Sequence, residues 1–455
     1  MDLAIGRLAA RAAKLWQAGW SGGGGLPRRL LQDTAWLTGA NTVIACIQLG
    51  QGVIVARLLG PTQYGVAALV FSYVGLIYSL LDPRTSEGST KYLAEFDTKG
   101  EPKRALAVCK VGYAVDAAVS AFVCAFVIVT GTWAETHIVR IEGTLPLLTL
   151  CGVALIPRSV TGTSYATLAT LGRFSLMARL QVLSTAVQAV VIVGLLAAGL
   201  GVAGVVYGSF VEAVFSGLVW GAAAHRTAQR RWGGTWLTAS WRELTGRYTE
   251  ILRFYGLSDL NVMMQTVLAR ADVTIIGFFR TPIEAGYYKL AKTLAESAVS
   301  LVTNPLRAVV YPDMSRSVHL PEERQHRSLG FELSTRIGVP VGLAMATAAA
   351  SAAVWLPWVF GREYTSSVLA FQGIAVASAI NGVFWWVRSW YYSRGLVGTW
   401  SLVVLAPNAL ALAMWLTLTP RFGYLAVAWT LPVANMILYG IALPGYMLLQ
   451  SANRG

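Results

Sequence analysis

The sequence predicts an all-α polytopic membrane protein with about twelve transmembrane helices, arranged as two six-helix lobes of the same orientation. The first observation behind this prediction is composition. Hydrophobic residues make up 55% of the 455 residues and charged residues only 13%, whereas soluble domains carry about 25% charged residues. The second observation is the length of the apolar runs, and the third is a short motif that recurs almost half the chain away.

Transmembrane helices are predicted from the apolar runs, because a helix needs roughly 20 residues to cross the ~30 Å hydrocarbon core of a bilayer. The runs of this length lie near residues 34–56, 63–82, 107–131, 145–170, 175–199, 202–223, 251–279, 284–310, 331–355, 366–392, 398–419 and 423–448. Polar breaks interrupt the first and the seventh run. An even number of crossings places both termini on the same side of the membrane.

An internal repeat is indicated by two turn motifs, each lying between two apolar runs. The first is "ARLLGPTQYG", which ends at Gly65, and the second is "GFFRTPIEAGYY", which contains Gly286, 221 residues later. The prolines that follow the next spans, Pro83 and Pro305, keep nearly the same offset. Because an even number of spans separates the copies, the sequence predicts parallel repeats about an axis along the membrane normal, with a substrate path between them.

Basic residues set the predicted orientation, because Lys and Arg collect in cytoplasmic loops. With the N-terminus inside, the cytoplasmic tails and loops hold most of the 36 lysines and arginines. The opposite side holds only Arg57, Arg140, Arg280, Arg362 and Arg421. The net charge of +14 is therefore explained by topology without a nucleic-acid partner.

The domain organisation follows from the spans and the repeat. Residues 1–33 are predicted to be a basic amphipathic segment with a Gly-rich joint, which suits it to the surface of the lipid bilayer. The remaining units are an N-lobe at 34–223, a cytoplasmic connector at 224–250, a C-lobe at 251–449 and a short tail at 450–455.

Several kinds of chemistry lack support in the sequence. The four cysteines, Cys46, Cys109, Cys124 and Cys151, all fall inside predicted spans, and no spacing indicates a disulfide framework or a metal site. No phosphate-binding G-x-x-x-x-G-K-[ST] loop is present. The sequence therefore predicts a protein without a cofactor, without a metal and without enzymatic activity.

The eighth span carries the clearest polar stripe. Lys289, Lys292 and Glu296 fall within about 80° on one face of this helix, together with polar residues further along it. A charge within the membrane is costly, at about 2.5–3.5 kcal/mol near the middle of a helix, and calls for a functional explanation. The stripe either lines a water-filled cavity or lies buried against other helices, with Lys292 and Glu296 paired at i,i+4.

The first and seventh spans add further polar side chains. Asp259 and Arg270 share one face of the seventh span, and Asp272 lies on another, so only one face can point squarely at the path. Asn41 and Gln48 form an uncharged polar stripe on the first span.

Other intramembrane charges remain open to two interpretations. Arg158, beside Pro157, is expected at a bend of the fourth span, where it either lines the cavity or pairs with an acid. Glu212 is a weaker candidate for coupling or ion pairing, and Arg388 is a further available cation. Because the acids Asp259, Asp272, Glu212 and Glu296 nearly balance the cations, coupling to protons or sodium stays open.

The stretch "ARLLGPTQYGVAALVFSYVGLIYSLLD", followed by "KYLAEF", resembles the start of a Wzx-type flippase. These proteins belong to the polysaccharide transport family of the multidrug/oligosaccharidyl-lipid/polysaccharide (MOP) superfamily. "ARADVTIIGFFRTPIEAGYYKLAKTLAESAVSLVTNPLRAVVYPDMSR" is similar to the corresponding part of the second lobe. The resemblance covers nearly all the chain from about residue 34 and implies a MATE/MOP-like arrangement of the helices.

The resemblance also implies a function. It indicates export of polyprenyl-pyrophosphate-linked sugars across the bacterial inner membrane by alternating access, alongside the polymerase and glycosyltransferases of the same pathway. A cation-coupled multidrug exporter of the same superfamily is the main alternative, although Lys289 and Lys292 on one face argue against cationic substrates. A membrane polysaccharide polymerase or glycosyltransferase is a weaker alternative, because the longest predicted outer connection is only about residues 132–144.

Overall fold

The computed structural model describes residues 28–82, 85–257, 260–317 and 332–452, and every regular element in these ranges is helical. Asp259, Pro83, most of the predicted amphipathic segment at 1–33 and the end of the predicted tail at 450–455 lie outside the described residues. The regular structure of the described chain therefore agrees with the all-helical prediction.

The first half of the chain contains seven α-helices among its described residues. They are α1 Arg28–Leu81, α2 Thr85–Thr98, α3 Pro102–Ala134, α4 Leu145–Arg158, α5 Val160–Thr170, α6 Phe174–Ala197 and α7 Gly201–Trp232. A π-helical turn, Glu135–Val139, follows α3, and a 3-10 turn, Trp241–Leu244, lies in the segment that leads to the second half.

The second half continues the pattern, with α8 leading into it. The described helices are α8 Tyr248–Leu257, α9 Leu260–Phe279, α10 Pro282–Ser317, α11 Val339–Ala350, α12 Ala352–Phe360, α13 Ser367–Val383, α14 Val387–Ser393, α15 Val397–Phe422 and α16 Tyr424–Ala452. Short turns at Ser334–Gly338 and Arg362–Tyr364 complete the regular structure of the described part.

The long helix α1 is broken at Gly60, which has φ 67° and ψ 171°. Only glycine adopts this backbone conformation readily, and Pro61 then starts the next helical segment, where its missing N–H has no helical partner to lose. The Gly-Pro pair therefore separates two helical segments, 28–59 and 61–81, at the place where the sequence predicts the outer turn.

Helix is present at each of the twelve predicted spans, but fewer helices pass a test of length and apolarity. Seven described helices are long and apolar enough to cross a membrane, or up to nine if each of two bent pairs counts as one span. The first of the seven, Gly39–Leu81, contains the break at Gly60. The polar stripe of α10 lowers its apolarity, because Glu284, Lys289, Lys292 and Glu296 lie close together. Twelve crossings remain a prediction.

The two halves contact each other at the predicted outer end of the bundle. There the start of segment 61–81 packs against the start of α10, and Gly65 and Gly286 are both buried. A Cβ atom on Gly65 would lie 1.8 Å from the Pro282 carbonyl oxygen and 2.9 Å from the Gly286 nitrogen. Only glycine permits this approach, so the repeated motifs meet each other in space.

Helix α2 is an element that the span prediction did not contain, and it anchors the connector. Its buried aromatic residues Tyr92 and Phe96 pack in one hydrophobic cluster with Trp232, Leu244 and Tyr255. The cluster therefore fastens the chain that follows α7, including α8, to the first half.

Ion pairs hold the same surface together. The Arg247 guanidinium donates to Glu95 Oε1 at 2.7 Å, and Lys99 Nζ donates to the same oxygen at 2.7 Å. These hydrogen bonds lower the pKa of the Glu95 carboxyl to about 2, with Arg247 the larger cause. Asp97 accepts hydrogen bonds from Arg231 and from Trp232 Nε1, and its pKa is lowered mainly by Arg231. Glu95 and Asp97 are therefore held in their charged form by the end of α7 and the connector.

Candidate functional site

A cavity of about 410 Å³ lies between the two halves of the chain. Segment 61–81 of α1 forms one wall, together with Val55 before the break and Val205 of α7, and α9 and α10 form the other. The lining residues are Val55, Tyr64, Ala67, Ala68, Phe71, Ser72, Gly75, Val205, Arg270, Asp272, Val273, Lys289 and Lys292. The volume falls in the range of about 300–1,000 Å³ that is usual for small-molecule sites.

All the charged residues that line the cavity come from the second half. They are three cations, Arg270, Lys289 and Lys292, and one carboxylate, Asp272. Arg270 and Asp272 lie on different faces of α9, and the structure nevertheless brings both to the cavity. The lining therefore carries a net positive charge opposite a mostly apolar wall.

Lys292 is held in place by Asp272. Its Nζ lies 2.5 Å from Asp272 Oδ2, and the Tyr288 hydroxyl donates to the same oxygen at 2.6 Å. The other carboxylate oxygen accepts the Val273 backbone N–H at 2.8 Å. Asp272 is only 2% exposed, so its charge is compensated by this lysine and these two donors.

Glu296 is the weaker partner of Lys292. Its carboxylate lies 3.8 Å from Lys292 Nζ, and its side chain is 62% exposed. The i,i+4 pairing considered from the sequence therefore exists, but the shorter and more buried contact of Lys292 is with Asp272 on the neighbouring helix.

Lys289 differs from Lys292 in its surroundings. It is partly buried and lines the same cavity, yet within the described residues it makes no hydrogen bond or ion pair. A desolvated ammonium without an internal acceptor can gain most from an anionic ligand, because burial makes the attraction between opposite charges stronger than in water. Within the described residues, Lys289 is therefore the cation of the cavity that has no internal acceptor.

Arg270 reaches across the cavity to the first half. Its Nη1 lies 3.4 Å from the Gly75 carbonyl oxygen, a long hydrogen bond, and the side chain stays exposed. The approach does not require glycine at position 75, because a Cβ atom there would lie 3.6 Å from the same nitrogen, an ordinary van der Waals distance. A guanidinium held this loosely keeps donors available for a phosphate, which it recognises through paired N–H groups.

Arg158 and Glu212 form an ion pair between α4 and α7. The Arg158 side chain is 51% exposed and that of Glu212 is 9% exposed. Arg158 lies outside the cavity lining, so of the two interpretations drawn from its sequence context the structure gives the pairing with an acid.

The remaining predicted side chains lie away from this cavity. Asn41 and Gln48 are exposed on segment 28–59 of α1. Arg388 is exposed on α14 and stacks over the Tyr392 ring, with its Cζ 4.9 Å from the ring centroid. Asp259 lies outside the described residues. Of the predicted site residues, the structure brings four together in the cavity lining: Arg270, Asp272, Lys289 and Lys292.

The sequence analysis missed Tyr288, which is fully buried and donates to Asp272. A signal was present, because Tyr288 belongs to the second turn motif and lies four residues before Lys292, on the same side of the helix. Within the described residues, no three His, Cys, Asp or Glu side chains come together in a way that would hold a metal ion.

One protein family matches most of the chain. The family described as "Polysaccharide biosynthesis protein" matches residues 54–369. This range includes both turn motifs and the residues that line the cavity. It begins within α1, six residues before the break at Gly60. No curated protein matches the chain in sequence.

Solved structures with the same fold are MOP-superfamily transporters. The lipid II flippase MurJ in an inward closed conformation has a TM-score of 0.70 and 11% identity, over 90% of this chain and 87% of that protein. An inward-facing MATE multidrug transporter has a TM-score of 0.68 and 14% identity, over 90% and 95% of the two chains. An outward-facing MATE transporter has a TM-score of 0.57 and 13% identity, over 93% and 96%.

These matches confirm the resemblance drawn from the two turn motifs. The family match covers well over half of the chain, and the helical arrangement agrees with that of the MATE and MurJ structures. The chain therefore belongs to the family described as "Polysaccharide biosynthesis protein", and its fold is that of the MATE and MurJ structures.

Proposed function

We propose that this protein is a flippase that moves a polyprenyl-pyrophosphate-linked oligosaccharide from the cytoplasmic to the outer leaflet of a bacterial inner membrane. The transported lipid would serve surface polysaccharide biosynthesis, upstream of the pathway's polymerase and downstream of its glycosyltransferases. The observation that carries the proposal is the unpaired ammonium of Lys289 in the cavity between the two halves.

The division of charge in the cavity supports an anionic substrate. Lys292 is compensated by Asp272, whereas Lys289 and Arg270 offer donors to a ligand. A pyrophosphate carries negative charge and several acceptor oxygens, which lysine and arginine bind through charge-assisted hydrogen bonds. The sugar would occupy the rest of the cavity, and the polyprenyl tail would stay in the lipid.

The family match and one structural relative agree with this substrate class. The family is described by its part in polysaccharide biosynthesis, and MurJ is a flippase for lipid II. The rival function, export of cationic drugs by a MATE-like protein, is disfavoured because three cations face one carboxylate in the cavity. A polymerase or glycosyltransferase activity has no support in the described residues, where the charged cavity lies within the bundle.

The experiment is to replace the chromosomal gene with variants at Lys289 and to measure lipid-linked sugar on each side of the membrane. Lys289→Ala and Lys289→Glu should reduce transport about tenfold or more, the loss expected for a hydrogen bond to a charged group. Lys289→Arg should retain most of the transport. The losses should appear as lipid-linked sugar that accumulates on the cytoplasmic side.

The matched control is Lys103→Ala, which removes an exposed lysine at the start of α3, far along the chain from the cavity. This variant should transport at the native rate. Normal transport by Lys289→Glu, with the protein present at its native level, would contradict the proposed function.

A further inference from the structure

Two arginines of the first half bind the ends of helices that belong to the second half. Arg57, just before the break in α1, donates from Nε to the Val359 carbonyl oxygen at 2.5 Å and from Nη2 to that of Trp358 at 2.8 Å. These carbonyls lie at the C-terminal end of α12, where helical carbonyls have no partner within the helix. Arg57 therefore caps a helix of the opposite half.

Arg140 makes a corresponding contact with α9. Its Nη2 donates to the Phe278 carbonyl oxygen at 2.5 Å and its Nη1 to the Arg280 carbonyl oxygen at 3.3 Å. Arg140 has φ 57°, and it is the one non-glycine residue with positive φ in the described chain. A cation at a helix C-terminus is favourable because it meets the negative end of the helix dipole. A strained backbone is thus combined with a contact between the halves, as is frequent at functional sites.

A buried tyrosine adds a third contact of the same kind. The Tyr364 hydroxyl, from the second half, donates to the Ala56 carbonyl oxygen at 3.0 Å, one residue before Arg57. The Tyr364 ring is fully buried and meets the rings of Tyr64 and Tyr287 edge-on, with centroids 6.3 and 6.4 Å away. Tyr64 also lines the cavity, so these contacts lie directly beside the candidate site.

We propose that Arg57, Arg140, Tyr364 and the Gly65–Gly286 contact form a gate, the outer gate, that closes the cavity toward the predicted outer side. Arg57 and Arg140 are its gating residues, whose hydrogen bonds must break each time the cavity opens outward. The proposal rests on the alternating access of the proposed function, but it does not depend on which substrate is carried.

The chemistry of these contacts suits a gate that opens. Each arginine donates to carbonyls at a helix end, and water can bind those carbonyls when the arginine leaves, so neither helix has to unfold. The glycine contact has no interlocking side chains, and the two backbones can separate as rigid bodies.

The experiment measures access to the cavity from outside. Ser72→Cys places one thiol in the cavity lining, in a protein whose four native cysteines, Cys46, Cys109, Cys124 and Cys151, are replaced by alanine. Intact cells are exposed to a membrane-impermeant maleimide, and the labelling rate of the thiol is recorded. Arg57→Gln and Arg140→Gln should each speed labelling about tenfold, the shift that loss of one or two ordinary hydrogen bonds produces in a two-state equilibrium.

The control is Arg362→Gln, which removes an exposed arginine of the same predicted face that donates no side-chain hydrogen bond within the described residues. This variant should label at the rate of the parent. Arg57→Lys and Arg140→Lys keep the positive charge, but a lysine ammonium cannot reproduce the paired N–H donors of the planar guanidinium. The lysine variants should give labelling rates between those of the parent and the glutamine variants. If a glutamine variant fails to reach the membrane, the corresponding lysine variant is used in its place.

Labelling of both glutamine variants at the control rate would overturn the outer gate. This outcome is separate from failure of the proposed function, because the thiol reports access without any lipid-linked sugar. Faster labelling in a protein that shows no lipid-linked sugar transport would support the gate and remove the substrate assignment alone.

Discussion

Gly65 and Gly286 each occupy the space in which the other's side chain would lie. A Cβ atom on Gly286 would be 2.2 Å from the Pro61 carbonyl oxygen and 3.1 Å from the Gly65 nitrogen, which mirrors the contact of Gly65 with Pro282 and Gly286. Reciprocal contact between corresponding residues is the property of a two-fold axis that passes between them. The recurrence of one turn motif in the sequence is thus matched by a symmetric contact in the structure.

The first prediction concerns the repeat itself. In an experimental structure, superposition of residues 34–223 on residues 251–449 should align Gly65 with Gly286 and Pro83 with Pro305. The rotation axis should run along the membrane normal. A best superposition in a register that pairs neither residue with its partner would contradict the duplication.

The second prediction concerns the close approach of the two glycines. Gly65→Ala and Gly286→Ala should each destabilise the protein by about 1–3 kcal/mol, because the added methyl group meets backbone atoms that cannot turn away. Thermal unfolding of the purified protein in detergent measures the effect. Gly194→Ala and Gly440→Ala are the controls, since a Cβ atom at either position has no neighbour within 4 Å. Equal melting temperatures in all four variants would show that the contact is looser than described.

The third prediction concerns the pair of Asp272 and Lys292. Removing one partner, as in Asp272→Asn or Lys292→Met, leaves an uncompensated charge and should cost about 3–5 kcal/mol of stability. The double variant should recover much of this loss, which a double-mutant cycle on unfolding midpoints detects. The same cycle between Lys292 and Glu296 should show little coupling, because Glu296 is 62% exposed and 3.8 Å away. Strong coupling to Glu296 instead would identify the other pair as the structural one.

The fourth prediction concerns topology. A reporter that is active only in the cytoplasm should give signal when it is fused within residues 226–247, and none when it is fused near Arg140 or Arg362. This follows from the excess of basic residues in the predicted cytoplasmic loops. The reverse pattern would place the outer gate on the cytoplasmic side and change the predicted number of crossings by one.

The fifth prediction concerns pH and the ion pairs that fasten the connector. The folded protein holds the pKa of Glu95 at about 2, below its ordinary value of 4.5. The contribution of Glu95 to stability is therefore complete above about pH 4.5 and is lost as the pH falls toward 2. Glu95→Gln should lower the melting temperature at neutral pH and weaken its dependence on pH between 4.5 and 2. Glu243→Gln, at a partly exposed position of the connector, should match the parent, and equal acid profiles for Glu95→Gln and the parent would refute the assignment.

The sequence predicted the helices well because their signal is local. Apolar runs and the Gly60–Pro61 break gave the positions of the helices, since hydrophobicity and backbone restriction act on neighbouring residues. Helix α2 was missed as an element because it is amphipathic and not apolar. Its buried residues Tyr92 and Phe96 pack against Trp232 and Tyr255. Because these partners are distant in the chain, local sequence patterns could not indicate the contact.

The sequence could predict that the polar side chains of the candidate site share one face of a helix. It could not predict which residues of other helices form ion pairs with them. Helical periodicity placed Lys289 and Lys292 on one face of α10, and both line the cavity. The same periodicity favoured Glu296 as the partner of Lys292 because it compares residues within one helix. Asp272 is on another helix, and only the packing of α9 against α10 brings it to 2.5 Å. Arg158 likewise needed the packing of α4 and α7 before its partner Glu212 could be identified.

The anchoring of α8 has a consequence for where one half of the chain mechanically ends. Tyr255 is buried against α2, where its hydroxyl lies 2.8 Å from that of Ser89, and a Cβ atom on Gly88 would lie 2.3 Å from the Tyr255 ring. Helix α8 is therefore fastened to the first half, although the connector that precedes it separates the two copies of the predicted repeat in the sequence. In the alternating access proposed above, the rigid unit of the first half would therefore extend at least to Leu257, well beyond the end of α7 at Trp232.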